Sequence, residues 1–177
     1  MQSSPTFTLV RGSLTGETDI DAWFFFLTPD LKWEGGANKA VLNEAGEELD
    51  EYVCEHLYRP KEGEVYEVPS FGAPVDKLYV GIMPSWKGGF MNEAGFLARC
   101  YTHLMDKLAA DHVATIAMPS LGGGRKGFPQ DRAVRVACQA MLEKFPKSLQ
   151  EVRIVCLDQS SHDAWEERLS KLMQPHR

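Results

Sequence analysis

Hydrophobic and polar positions along this chain follow two rhythms, short unbroken apolar runs and longer stretches with apolar residues every third or fourth position. Residues 6–10 read as a strand closed by Gly12, and the unbroken run Ala-Trp-Phe-Phe-Phe-Leu at 22–27 suits a strand covered on both faces. From about residue 38 to 57, Val41, Leu42, Ala45, Leu49 and Val53 recur at helical spacing. Residues 65–71 and 78–83 predict two more strands, and Asn92 is a cap for a helix running through Ala110. A strand at 113–118, a helix from about 131 to 144, a strand at 152–157 and a helix at 161–173 complete the pattern. The alternation predicts an α/β fold in three layers, helices on both faces of a mixed, largely parallel sheet. Folds of this kind bind ligands beyond the carboxyl ends of their strands.

Two glycine turns follow predicted strands and converge on that edge. One is Gly35-Gly36. The other is the run Gly122, Gly123, Gly124, Arg125, Lys126, Gly127, which lies between the strand at 113–118 and the helix that Gln130-Asp131 starts. Without Cβ atoms, such a loop brings backbone N–H groups close to a ligand, and N–H groups at a helix N-terminus favour an anion. The run formally satisfies G-x-G-x-x-G, but Phe128-Pro129 separates it from its helix, unlike a dinucleotide fingerprint. It also lacks the Lys-Ser/Thr pair of a P-loop. The plain alternative is a tight strand-to-helix connection with no ligand.

Composition narrows the reading. The 177 residues, 44% of them hydrophobic, fit one domain across 1–177 with a substantial core. A net charge of −6 argues against broad nucleic-acid binding, though not against one nucleotide held by main-chain donors. No apolar window is long enough to span a membrane, and no signal peptide is recognisable. Cys54, Cys100, Cys138 and Cys156 show no metal-type spacing and are expected as free thiols in a reducing cytoplasm. The histidines are scattered, so no metal site and no cofactor is expected.

Seven short segments, in order, resemble those of the macro domain family. They are Gly12-Ser13-Leu14-Thr15, Asp21 through Thr28, Gly35 through Val41 with Ala45-Gly46-Glu47-Glu48-Leu49 behind it, Met83-Pro84-Ser85-Trp86, Glu93 through Leu104, Met118 through Pro129, and Leu157-Asp158 with Trp165 downstream. The resemblance implies a cleft for ADP-ribose at the carboxyl edge of the sheet. It implies that Gly122 to Gly127, with Leu121 before them, cradle the diphosphate and distal ribose. Gly35, Gly36 and Ala37 would close from the other side, with Phe128 on the ribose and Trp165 offering a face to the adenine. Arg125 or Lys126 would add a charge-assisted contact, and Ser13, Leu14 and Asn38 would complete the contacts. The partner is then a small ADP-ribose-type molecule or an ADP-ribosylated macromolecule.

The departures from the family pattern are specific. Ser13 replaces the aspartate that accepts from the adenine amino group, and Phe25 and Thr28 occupy the two asparagine positions. Asn38 stands where some members carry an acid. Trp33 and Glu34 replace small residues, which should narrow the cleft. The hydrolase apparatus used in Appr-1-p processing is thus largely missing, which favours a binder. Two alternatives stand beside it. A hydrolase or O-acetyl-ADP-ribose deacetylase with rearranged catalysis would draw on Glu34, Asn38, Lys39 or Asp21, with Glu34 the plausible base. A degenerate interaction module would have its cleft filled by Trp23, Phe24, Phe25 and Phe26, although a core strand explains these four equally well.

Overall fold

The computed structural model describes residues 6–84, 87–121 and 128–173. Six strands form one sheet: β1 (Phe7–Arg11), β2 (Ala22–Leu27), β3 (Val65–Val68), β4 (Lys77–Ile82), β5 (Thr115–Pro119) and β6 (Glu151–Cys156). Their spatial order is β1-β6-β5-β2-β4-β3, with β3 antiparallel to β4 and every other pairing parallel. The expected mixed, largely parallel sheet is therefore present.

Side chains alternate across a strand, and β2 uses both faces. Ala22, Phe24 and Phe26 join the core beneath α3 (Glu93–Ala110), α4 (Gln130–Glu143) and α5 (Gln159–Met173). Trp23, Phe25 and Leu27 join the opposite core, beneath α1 (Gly36–Ala45) and α2 (Glu47–His56). All six β2 residues are buried, which explains the unbroken apolar run.

The single helix expected over 38–57 is two helices. Gly46 takes φ +97° and ψ 167°, which L side chains rarely adopt; its N–H closes α1 on the Leu42 carbonyl, and its own carbonyl accepts from Leu49 to open α2. The apolar stripe continues across the break because both helices bury the same face. The strand expected over 65–71 ends at Val68. Pro69 follows without an N–H, and Phe71 has φ +47°.

Asp21 organises the amino edge of the sheet. Its carboxylate accepts the Ala114 and Thr115 N–H groups at 3.1 Å each. Its own N–H donates to Thr115 Oγ1, and its carbonyl accepts from Asp76 and Lys77. One residue thus ties the starts of β2, β4 and β5. A second polar tie lies where Arg153 on β6 binds Glu151, Glu17 and Asp19, drawing the 14–21 segment onto the sheet.

Candidate functional site

A cleft of about 950 Å³ opens at the carboxyl ends of β2, β4 and β5. That is within the usual range for a small-molecule site. Its β2 wall begins at Phe26 and Thr28 and continues through Gly35, Gly36, Ala37, Asn38 and Lys39 at the start of α1. Its far wall carries Ser120, Leu121, Phe128 and Leu157.

The α1 end is open toward the cleft. Gly35 occupies the cap position with extended backbone, and no side chain caps the helix. The first turn therefore presents N–H groups without intrahelical partners, at the positive end of the helix dipole. Gly36, Ala37 and Asn38 supply that turn and line the cleft.

Asn38 is the unusual residue. It is only 3% exposed. Its Nδ2 donates to the Phe26 carbonyl at 3.1 Å, which orients the amide and leaves Oδ1 buried with no partner among the described residues. A buried acceptor without a donor is costly unless something else supplies one.

The charges around the cleft are mixed. Lys39 and Lys87 are exposed, as are Asp30 and Glu34, while Glu62 is half-buried. The Thr28 hydroxyl donates to the Asp30 carboxylate and holds that acid below its ordinary pKa. Thr28 is thereby already engaged at the asparagine position it occupies.

The segment after β4 is organised by a carboxylate that sequence reasoning missed as a functional group. Glu93, fully buried at the start of α3, accepts N–H groups from Lys87, Gly89 and Met91 at 2.7, 2.9 and 2.6 Å. Burial pushes its pKa up, but the three backbone donors win and bring it down to about 2. Lys87 and Met91 are thus held in place on the cleft wall. Asn92 does occupy the cap position, in a left-handed conformation, without a side-chain capping bond.

Several expected site residues lie elsewhere. Asp21 is at the opposite edge of the sheet, where its Oδ2 accepts two backbone N–H groups, and it is not among the described residues that line the cleft. Leu14 is buried in the α1–α2 core and Ser13 is exposed beside it, its hydroxyl 3.2 Å from that of Thr15; neither is among the described residues that line the cleft. Trp33 does not narrow the opening, because it stacks on Phe25 and donates to Asp50 on α2. Phe25 is likewise turned into that core and away from the ligand side. Of the four β2 aromatics only Phe26 reaches the cleft, so they fill the sheet's two cores and leave it open.

Trp165 also needs correction. It is 1% exposed, stacks on Phe7 and donates from Nε1 to Ser120 Oγ at 3.0 Å, so it has no free face for an adenine. Leu157, 77% exposed on the cleft rim, is an exposed apolar surface on that side. It was legible only as part of the Leu157-Asp158 motif. Gly122, Gly123, Gly124, Arg125, Lys126 and Gly127, with Ser85 and Trp86, lie outside the described residues.

Away from the cleft lining, His162, Asp163 and Glu166 gather on α5 with potential ligand atoms within 4.8 Å of one another; both carboxylates are exposed. Cys100, Cys138 and Cys156 are buried and Cys54 is exposed. No described helix is long and apolar enough to cross a membrane.

Comparison with known proteins agrees with this architecture. The family model described as Macro domain matches residues 28–137. A macro domain-containing protein of Listeria monocytogenes serotype 4b is 30% identical over 161 residues, covering 87% of this chain and 91% of the relative. Among solved structures, the Oceanobacillus iheyensis macrodomain with ADP superposes with a TM-score of 0.85 at 23% identity, covering 98% of this chain and 94% of that one. The Trypanosoma brucei macrodomain in complex with ADP-ribose has a TM-score of 0.80 at 19% identity, covering 92% and 68%.

Proposed function

This chain belongs to the macro domain family, and from that premise we propose that its cleft binds ADP-ribose or a close derivative without the family's usual hydrolase residues. The observation that carries the reading is Asn38 Oδ1, a buried acceptor on the cleft wall that lacks a donor among the described residues. A ribose hydroxyl is a donor of the right kind. Beside it, the open first turn of α1 offers backbone N–H groups to a diphosphate. Gly35, Gly36 and Ala37 form this side of the cradle. An amide at position 38 orients a hydroxyl but does not take its proton, which is why binding without turnover is favoured.

Two solved relatives of similar fold were captured with ADP and with ADP-ribose, and this supports the ligand class. Isothermal titration with ADP-ribose tests the proposal. Saturable heat at micromolar to low-millimolar ligand supports it, and no heat at millimolar ligand rejects it.

A second reading has one observation in its favour. Glu34 lines the cleft and is exposed, so a carboxylate stands where a water or a linkage could be activated. Under that reading the protein removes ADP-ribose from a modified macromolecule or deacetylates an acetylated ADP-ribose. Release of label from a mono-ADP-ribosylated substrate, abolished by Glu34→Gln, distinguishes it from simple binding.

A further inference from the structure

The buried Trp165 does not face the cleft, yet it bears directly on a group that does. Ser120 follows the last residue of β5, is anchored by its N–H on the Val155 carbonyl at 3.0 Å, and lines the cleft. Its Oγ accepts the Trp165 indole N–H at 3.0 Å. An indole nitrogen is a donor only, so the serine cannot donate back. The single hydroxyl hydrogen must therefore point away from Trp165. It meets no acceptor among the described residues.

The indole itself has little freedom. It is 1% exposed and stacked on Phe7 at 6.4 Å between ring centroids, and Phe7 is met edge-on by Phe145. The polarity of Ser120 is thus set from inside the core. Leu157, two residues beyond the Val155 that anchors Ser120, supplies an exposed apolar surface on the same rim. Across the cleft, Asn38 Oδ1 asks for a donor instead. The two walls consequently have opposite hydrogen-bonding sense: an acceptor at the β2 wall, and a donor beside an apolar surface at the β5–β6 wall.

We propose that Ser120 is a specificity-determining donor for the nucleotide half of the ligand, and that Trp165 is the positioning residue that commits the serine hydroxyl to donating. This rests on the ADP-ribose reading above. The atom it meets is an acceptor, on a phosphate or on the nucleoside.

Titrations of ADP-ribose into the wild type, Ser120→Ala, Trp165→Phe and the double variant test both halves, with adenosine and AMP as further ligands. Ser120→Ala is expected to weaken ADP-ribose binding about fivefold, the effect of one lost hydrogen bond. Trp165→Phe, which keeps an apolar ring but removes the N–H, should weaken it similarly, and the double variant should be no weaker than either single one. A role for Trp165 in packing alone would instead add to the Ser120 effect, and that additivity would overturn the positioning half. If Trp165→Phe does not fold, the indole N–H resonance decides: it should shift on ligand addition in the wild type and not in Ser120→Ala. Loss carried over to adenosine places the acceptor on the nucleoside, and loss confined to AMP and ADP-ribose places it on a phosphate. Wild-type binding with an unchanged Ser120→Ala affinity rejects this inference alone. A wild type that does not bind ADP-ribose rejects the functional reading and this inference with it.

Discussion

The Asn38 side chain donates from Nδ2 to the Phe26 carbonyl at 3.1 Å, linking the end of β2 to the first turn of α1. That bond draws the amide inward and points its other half at a need the described residues do not meet. Asn38→Ala removes the bond and the unmet acceptor together. Since one loss offsets the other, stability without ligand should stay within about 1 kcal/mol of wild type. Affinity for ADP-ribose should fall about tenfold, because a ligand hydroxyl loses its buried partner. Paired denaturant melts and titrations check both, and an unchanged affinity would remove the main support for the functional reading.

Glu93 makes stability depend on acid. Its folded pKa, about 2, lies below the ordinary value of 4.5, so the unfolded chain binds its proton first as pH falls. The stabilisation is complete above about 4.5 and is lost as pH falls through about 2. Glu93→Gln replaces one oxygen with a donor that opposes the N–H groups of Lys87, Gly89 and Met91. The variant should melt lower than wild type at neutral pH, with a gap that narrows toward pH 2. Thermal melts across that range test this.

Asp21 and the cleft are separable. Asp21→Ala leaves the Ala114 and Thr115 N–H groups without their acceptor, at an expected cost of about 2 kcal/mol. Because the residue lies at the opposite edge of the sheet, the folded fraction should bind ADP-ribose with wild-type affinity. A large loss of affinity in folded protein would return Asp21 to the list of cleft residues.

Leu157 is the reverse case. At 77% exposure it contributes little to the core, so Leu157→Ser should barely change the melting temperature. If it covers the base of the ligand, the same change should weaken ADP-ribose binding by about threefold or more through lost apolar burial. A lower melting temperature with intact binding would show the opposite division of labour.

Gly46 offers a test of the helix break. Its φ of +97° is one that alanine adopts only under strain, so Gly46→Ala should cost about 1–2 kcal/mol in a chemical denaturation curve. No loss would mean that one continuous helix can form across residues 36–56.

How much was legible in the chain differs from residue to residue. The unbroken Ala22–Leu27 run reads as a doubly covered strand, and all six of its residues are buried. Trp165 and Trp33 stand apart from the roles their motifs suggest, for a common reason. An aromatic ring in a ligand-site motif and one in a core have the same local sequence pattern, and which way the ring turns depends on neighbours such as Phe7 and Asp50, far away along the chain. Asp21 misled in the same way, since a carboxylate before a strand reads as reactive until its two backbone donors, more than ninety residues away, are seen.

Periodicity, turn chemistry and the order of motifs are local properties, so the sequence by itself determined the layered α/β fold, its family and the sheet edge that carries the cleft. Tertiary structure decided the rest: the orphaned Asn38 oxygen, the three N–H groups on Glu93 and the Trp165 bond to Ser120. Each depends on the direction in which a polar atom points once the chain has closed around it. Hydrogen bonds are directional and hydrophobic burial is not, which is why the core could be read from the pattern and the site could not.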